Sequence, residues 1–322
     1  MPAAPPPSPN FAAIGRLPCP GRGSTWVRWR ALAELAARDV SAARLGEGHA
    51  DAVAIVAELA PHLGLPDGVL GVWAAEAPRA GLRAAPIGGR WRLDGVRRWC
   101  SGADGVVTRP LVTAHGSDGL RLFLLDRDDP GIEPVADSWP AVGMKGTDSL
   151  EVRFMEVVAE VGDEIGGPGA YLDRPGFWHG AMGVAACWYG GAVGVARTLL
   201  AVSTDDPDPH RLAHLGAVDA ILAGLATELR AAAAAIDADP DDEQGVGEHR
   251  ARRLRATVER GCEEVLVRTG RATGATPLCL DPAHARRVAD LTVYLRQSHA
   301  ERDQARLGEL ALVRGDGDWL PW

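Results

Sequence analysis

The sequence is almost without lysine. Lys145 is the only one among 34 lysines and arginines. A Schiff-base or pyridoxal-phosphate mechanism would therefore rest on that one residue. Its setting, VGMKGTDS (142–149), is not the GxxxxGK[ST] loop that cradles phosphates, which sets P-loop chemistry aside. Cysteine is sparse as well. The five, Cys19, Cys100, Cys187, Cys262 and Cys279, form no CxxC pair, which excludes a disulfide framework and a structural zinc site. No GxGxxG follows a strand-like run and no GxSxG occurs, so neither a Rossmann unit nor an α/β-hydrolase is supported. The net charge is −9, which gives no nucleic-acid footprint. No run approaches 18 consecutive apolar residues, so no membrane-spanning helix is expected. The start, MPAAPPPSPNFAAIGRLPCPGRG, lacks a charged n-region and an apolar h-region. It reads as a flexible arm rather than a signal peptide, and a cytoplasmic protein is expected.

What is present changes character twice along the chain. From Trp26 to about Leu63 apolar residues recur at helical spacing, among them Trp29, Leu32, Leu35 and Ala36. From about Gly71 to Ile165 the pattern is β. GGRWRLDG turns at Gly88-Gly89 and then alternates Trp91 and Leu93 with polar residues, and RPLVTAHGSDGLRLFLL reads as a hairpin. The strand-like DSLEVRFMEV alternates in the same way. Short strands at this spacing suggest a small barrel or sandwich. Helix returns at Gly176 in a Gly/Ala-rich stretch, broken by DDPDP and again by DADPDDEQG. A third helix is expected from Gly247 to Thr269, and a fourth from Pro282 to about Val313, with Asp281 as its N-cap. The boundaries so read are an arm over 1–25, a short helical domain over 26–70, a central β domain over 71–166 and a helical bundle over 167–322.

Three groups of residues could carry chemistry. His210 and His214 lie one helical turn apart, without the flanking Glu or third ligand that a metal site needs. The segment YLRQSHAERDQARLG (294–308) is the densest polar cluster of the last helices. On a continuous helix it would place Arg296, His299 and Asp303 on one face, where neighbouring charges could tune the imidazole as a general base. A solvated face with ion pairs is the plainer reading of the same spacing. The ten tryptophans, beside four Phe and three Tyr, are the other excess. In RRWCSGADG (97–105), Trp99 is followed by Cys100, Ser101 and Gly102 at a strand end. A flat ring, a hydroxyl and free backbone could hold a planar heteroaromatic ligand.

Three segments in a fixed order resemble the acyl-CoA dehydrogenase superfamily: GVWAAEAP (71–78), RWCSGA (98–103) and VGMKGTDSLEVRFMEV (142–157). They are similar to that family's LTEP-type segment, its W-I-[ST] segment and its LGMRGTDS-type turn with the strand after it. The resemblance runs from about Gly71 to the end. It implies an α+β fold with a short N-terminal helical region, a central β-barrel or sandwich and a C-terminal four-helix bundle. It implies bound FAD, with FMN the other flavin to consider. Cofactor contacts would fall on Trp73, Ala75, Trp99 and Ser101, and Arg211 would approximate the family's phosphate-reaching arginine. The implied reaction is α,β-dehydrogenation of an acyl-CoA thioester, in a homodimer or homotetramer served by an electron-acceptor flavoprotein.

This chain also departs from the family pattern. Ala75 stands where the first segment carries a hydroxyl before Glu76, and the catalytic glutamate of the family has no match. Its place falls near Ser298 and His299, so His299 and Glu301 are the candidate catalytic residues, with Glu76 behind them. SHAERD is similar to a branch of the superfamily that uses reduced flavin and oxygen with a histidine on the last helices. A flavin-dependent monooxygenase is therefore the alternative. A degenerate member that binds a partner without turnover is the third reading.

Overall fold

The computed structural model describes residues 9–75 and 81–318. Residues 1–8 of the expected arm and Glu76 lie outside the described residues. The chain forms two compact units. One comprises residues 1–19 and 41–177, the other residues 20–40 and 178–322. The helix over residues 25–36 groups with the C-terminal half.

The first unit is built on one curled seven-stranded sheet. Its strands are β1 (Leu70–Trp73), β2 (Leu82–Ile87), β3 (Arg90–Cys100), β4 (Arg109–Gly116), β5 (Gly119–Leu124), β6 (Ile132–Val135) and β7 (Leu150–Ala159). The order is β1-β4-β2-β3-β7-β6, with β5 paired to β4. The expected hairpin forms, β4 turning into β5 between Gly116 and Gly119, and the expected turn at Gly88-Gly89 joins β2 to β3 in a second one. The parallel pairing of β1 with β4 has no local signal, since the partners Leu70↔Arg109 and Trp73↔Val112 each lie 39 positions apart.

Both faces of the sheet are covered, which explains why β4 buries Pro110 to Ala114 without alternation. One face packs Trp73, Leu93, Val112, Phe123 and Phe154 into a core. The other receives α3 (Val40–Leu59), whose Ala52, Ile55 and Val56 meet Leu70, Leu111 and Leu122. The unit also holds the short helices α1 (Phe11–Ile14) and α4 (Ala170–Asp173). Asn10 accepts a hydrogen bond from the backbone N–H of Ala13, so this part of the expected arm is a capped turn.

The second unit is helical: α2 (Thr25–Ala36), α5 (Pro175–Asp205), α6 (Pro209–Ala238), α7 (Gly247–Thr273), α8 (Thr276–Leu280), α9 (Pro282–Leu295) and α10 (Glu301–Asp318). The first three residues of α5 belong to the other unit. The acidic breaks fall where the sequence puts them, and Asp281 caps α9 through the N–H groups of Ala283 and His284. Gly190 and Gly194 let α5 touch the backbone of α2, and a Cβ on Gly190 would stand 2.2 Å from the Ala33 carbonyl oxygen. The Asp237 carboxylate of α6 accepts from the Thr25 N–H at 3.0 Å and the Thr25 hydroxyl at 2.6 Å, capping α2 in place of Ser24.

The expected single helix from Pro282 to Val313 is corrected. It breaks after Leu295, and the chain restarts as α10 at Glu301. Ala300 takes a φ of 45°, and the Ser298 hydroxyl accepts from its N–H, a local bond that competes with helix. The expectation about spanning helices also needs restating. α5 and α6 are long and apolar enough by length and composition, with windows of mean hydropathy 1.3 and 1.4 that are 61% and 22% buried. The Gly/Ala-rich sequence reaches these averages without a continuous apolar run.

Candidate functional site

The Trp99–Ser101 stretch lies where β3 ends against β7. Arg97 pairs with Val152 and Cys100 with Leu150, so β3 carries one extra residue there. That bulge turns Trp99 outward: its φ is 60° and its side chain 49% exposed. A left-handed backbone is strained for a bulky residue, at a cost of about 1–3 kcal/mol. Cys100 points the other way into the sheet core, where burial pushes its thiol far above its ordinary value. It is an inert packing residue.

Ser101 is only 8% exposed and anchors a chain of hydroxyls. Its Oγ lies 2.9 Å from the Ser149 Oγ, which lies 2.9 Å from the Thr147 Oγ1. Thr147 in turn donates to the Met144 carbonyl at 2.7 Å. The Gly102 N–H donates to the Thr147 carbonyl at 2.7 Å, and the Trp73 indole N–H to the Ser101 carbonyl at 3.1 Å. Two further strained residues bracket the turn that supplies these hydroxyls, Met144 at φ 58° and Asp148 at φ 38°. Strained backbone of this kind concentrates at functional sites.

Two more groups hold the surroundings. Arg97, 1% exposed, donates through Nε to the Thr113 carbonyl at 2.7 Å and through Nη1 to the Ala75 carbonyl at 3.3 Å. A buried guanidinium thus fixes the backbone of Ala75, whose own side chain is exposed. Asp148 has its carboxyl pushed up by burial, reinforced by the charge and hydrogen bond of Asp104 and opposed by Lys145. Of the residues singled out in the sequence, the first unit therefore brings together Trp73, Ala75, Trp99 and Ser101. The sequence reading missed Ser149, Thr147, Arg97 and Asp104. The first two stand in the quoted GTDS segment, where the choice of hydroxyl residues was the available signal.

The other candidates belong to the second unit. His299 lies in the break between α9 and α10, with its side chain 59% exposed, and not on a helix face with Arg296 and Asp303. Its backbone N–H donates to the Asp303 carboxylate at 3.0 Å, and its Nδ1 lies 3.6 Å from the same group. Burial raises the Asp303 carboxyl, but the His299 N–H and the charges of His299 and Arg252 outweigh it and hold it below its ordinary value. Arg252 joins Asp303 to Glu248 at 2.9 and 2.8 Å, and Arg306 grips both Glu248 oxygens at 3.0 Å. Glu301 is exposed at the start of α10. Arg211 is held by Asp206 through Nη1, while its buried Nε has no hydrogen-bond partner among the described residues.

No protein-family model and no curated protein matches the chain. Solved structures do. FMN-bound TdsC from Paenibacillus sp. A11-2, a dibenzothiophene monooxygenase, is similar at a TM-score of 0.80 and 20% identity over 89% of this chain and 83% of its own. The methanesulfinate monooxygenase MsuC from Pseudomonas fluorescens gives 0.78 and 19% over 95% and 86%. A nitrososynthase from Micromonospora carbonacea var. africana gives 0.76 and 20% over 93% and 84%. The fold is acyl-CoA dehydrogenase-like. Likeness at this identity establishes the architecture, which the ordered β-strand segments had indicated.

Proposed function

We propose that the protein is a flavin-dependent monooxygenase that uses reduced FMN and dioxygen on a small organic substrate. The observation that carries this reading is the exposed Trp99 indole on a strained bulge beside the buried Ser101 hydroxyl, in a fold shared with monooxygenases. The donor set fits a flavin. The indole offers a face for a flat ring and Ser101 a polar contact, while the Arg97 guanidinium and the Trp73 indole N–H hold the surrounding backbone. When bound, reduced flavin supplies the electrons for splitting dioxygen between substrate and water. The chain's own work is orientation, exclusion of water and handling of protons.

Monooxygenation is favoured over acyl-CoA dehydrogenation on two grounds. The similar structures named above act as monooxygenases or as a nitrososynthase, and the glutamate that dehydrogenation needs has no match here. FMN is favoured over FAD because TdsC is solved with FMN. His299, beside Asp303, is the proposed group that takes up or delivers a proton.

The first test is the visible spectrum of the protein after incubation with FMN or FAD. A protein that binds neither, oxidised or reduced, has no flavin function. With a thioester or aromatic substrate panel, oxygen consumption dependent on reduced FMN is expected. Dye reduction by acyl-CoA without oxygen uptake would restore the dehydrogenase reading.

A further inference from the structure

α10 has little apolar surface hidden beneath it. None of the side chains over 301–313 is buried: Leu307, Leu310 and Ala311 are partly covered, and Leu312 and Val313 lie open. α9, just before it, buries Leu291, Tyr294 and Leu295. Most helical stability in proteins comes from a packed apolar face, and an isolated helix of this length is marginal in water. α10 nevertheless packs on α7. What fastens it there is charge. Arg252 of α7 reaches Asp303 at 2.9 Å, and in the opposite sense Arg306 of α10 grips both oxygens of Glu248 at 3.0 Å. Arg252 also bonds Glu248 at 2.8 Å, which closes the four groups into one network. The Arg306 hydrogen bonds, and after them those of Arg252, outweigh burial and hold the Glu248 carboxyl below its ordinary value. These four side chains keep 19–45% of their surface exposed, so dissolved ions reach them. The chain leading into α10 suits a pivot. Arg296 anchors the end of α9 to Glu259 and Glu263, and residues 296–300 are not helical, with Ala300 at a φ of 45°.

We propose that α10 is an ionic latch. The Arg252–Asp303 and Arg306–Glu248 pairs fasten it to α7, rising ionic strength releases it about residues 296–300, and release withdraws the Asp303 carboxylate from His299. The latch itself stands on the network. Its effect on His299 rests on the proposed function, and there Glu248, Arg252 and Arg306 are positioning residues that act through Asp303. The sign of the salt effect separates this device from apolar docking. Screening shortens the reach of a charge from about 10 Å at 0.1 M salt to about 3 Å at 1 M, the length of the contacts themselves. Apolar contacts are not weakened in this way.

The test is hydrogen–deuterium exchange of the full chain, read by mass spectrometry at about 0.05 M and about 1 M sodium chloride. Amides over 301–313 should exchange at least about tenfold faster at the higher salt, while those over 282–295 change less than about twofold. Glu248→Gln removes the charge that faces both arginines. Its α10 should exchange fast already at low salt, with a residual salt response of about twofold or less. Leu307→Ala loosens α10 but leaves the charges, so the salt response should persist. Thermal unfolding of each variant checks that the rest of the fold survives. An α10 without a salt response, a response shared equally by α9, or a full response in Glu248→Gln overturns the latch. The effect on His299 is read at saturating reduced FMN. Oxygen-consuming turnover of the wild type should fall with salt in step with α10 exchange. In Glu248→Gln kcat should be low at both salts, with substrate KM within about twofold of wild type. Salt-independent turnover beside salt-dependent exchange overturns the link to His299 and leaves the latch. A protein that binds no flavin removes the flavin reading and that link together, an outcome the exchange data distinguish from failure of the latch.

Discussion

At the scale of single residues, the strain at Trp99 separates stability from function. A left-handed φ of 60° costs a tryptophan free energy that glycine is spared. Because the indole is half exposed, little packing is lost on its removal. Trp99→Gly should therefore leave the melting temperature unchanged or raise it, while weakening FMN binding about tenfold or more. Calorimetry and titration on one sample decide it. A large fall in melting temperature would mean that the ring is chiefly a packing residue. His299→Ala should lower kcat far more than it changes substrate KM, because the exposed imidazole holds no other part of the fold together. Trp99 and Ser101 were legible in the sequence because an aromatic and a hydroxyl stood together at a strand end. Arg97 was not, because the same residue type on an exposed face looks identical in sequence. Only its burial against the carbonyls of Thr113 and Ala75 gives it a role.

At the scale of elements, the helices are decided by contacts that composition only hints at. The glycines of α5 let it approach α2, where Gly190 and Gly194 meet backbone, and α9, where a Cβ on Gly191 would stand 3.0 Å from Leu291. Gly190→Ala should destabilise the protein by about 2–3 kcal/mol, since the added methyl meets fixed backbone rather than a yielding side chain. The control is Gly224→Ala on α6, where nothing lies within 4 Å, with an expected gain of about 0.5–1 kcal/mol from helix propensity. Denaturant unfolding of the two variants should therefore move in opposite directions. The break between α9 and α10 was not legible, because helical spacing continues through it. What ends the helix is the local bonding of Ser298 and Asp303 to nearby N–H groups, a choice made over five residues.

At the scale of the whole molecule, strand types and hairpins were readable, whereas the sheet order was not. The parallel β1–β4 contact joins segments that share no turn, so no short window contains it. Acid stability is another whole-molecule property. His284 on α9 is 1% exposed, and its Nδ1 lies 2.9 Å from the Thr198 hydroxyl. Burial lowers its pKa from the ordinary 6.5; Asp281 acts against that shift and Arg287 with it. On acidification the unfolded chain takes up this proton before the folded one. Its contribution is therefore complete above pH about 6.5 and is lost as pH falls through the lowered value. Between pH 7.5 and 5 the melting temperature of the wild-type protein should fall more steeply than that of His284→Asn. Parallel slopes would refute the assignment.

The grouping of α2 with the C-terminal half sets the order of events on the ribosome. The backbone surface that meets Ala33 is built from Gly190, more than 150 residues later in the chain. At roughly 5–20 residues per second, α2 waits on the order of ten seconds or more with its Trp29 face uncovered. The sheet unit between them emerges in that interval with nearly all its own partners present. Released chains truncated just before α5 should thus resist protease over residues 41–174 while remaining cleavable within 25–36. The N-terminal helix is the first long one made and among the last to be protected.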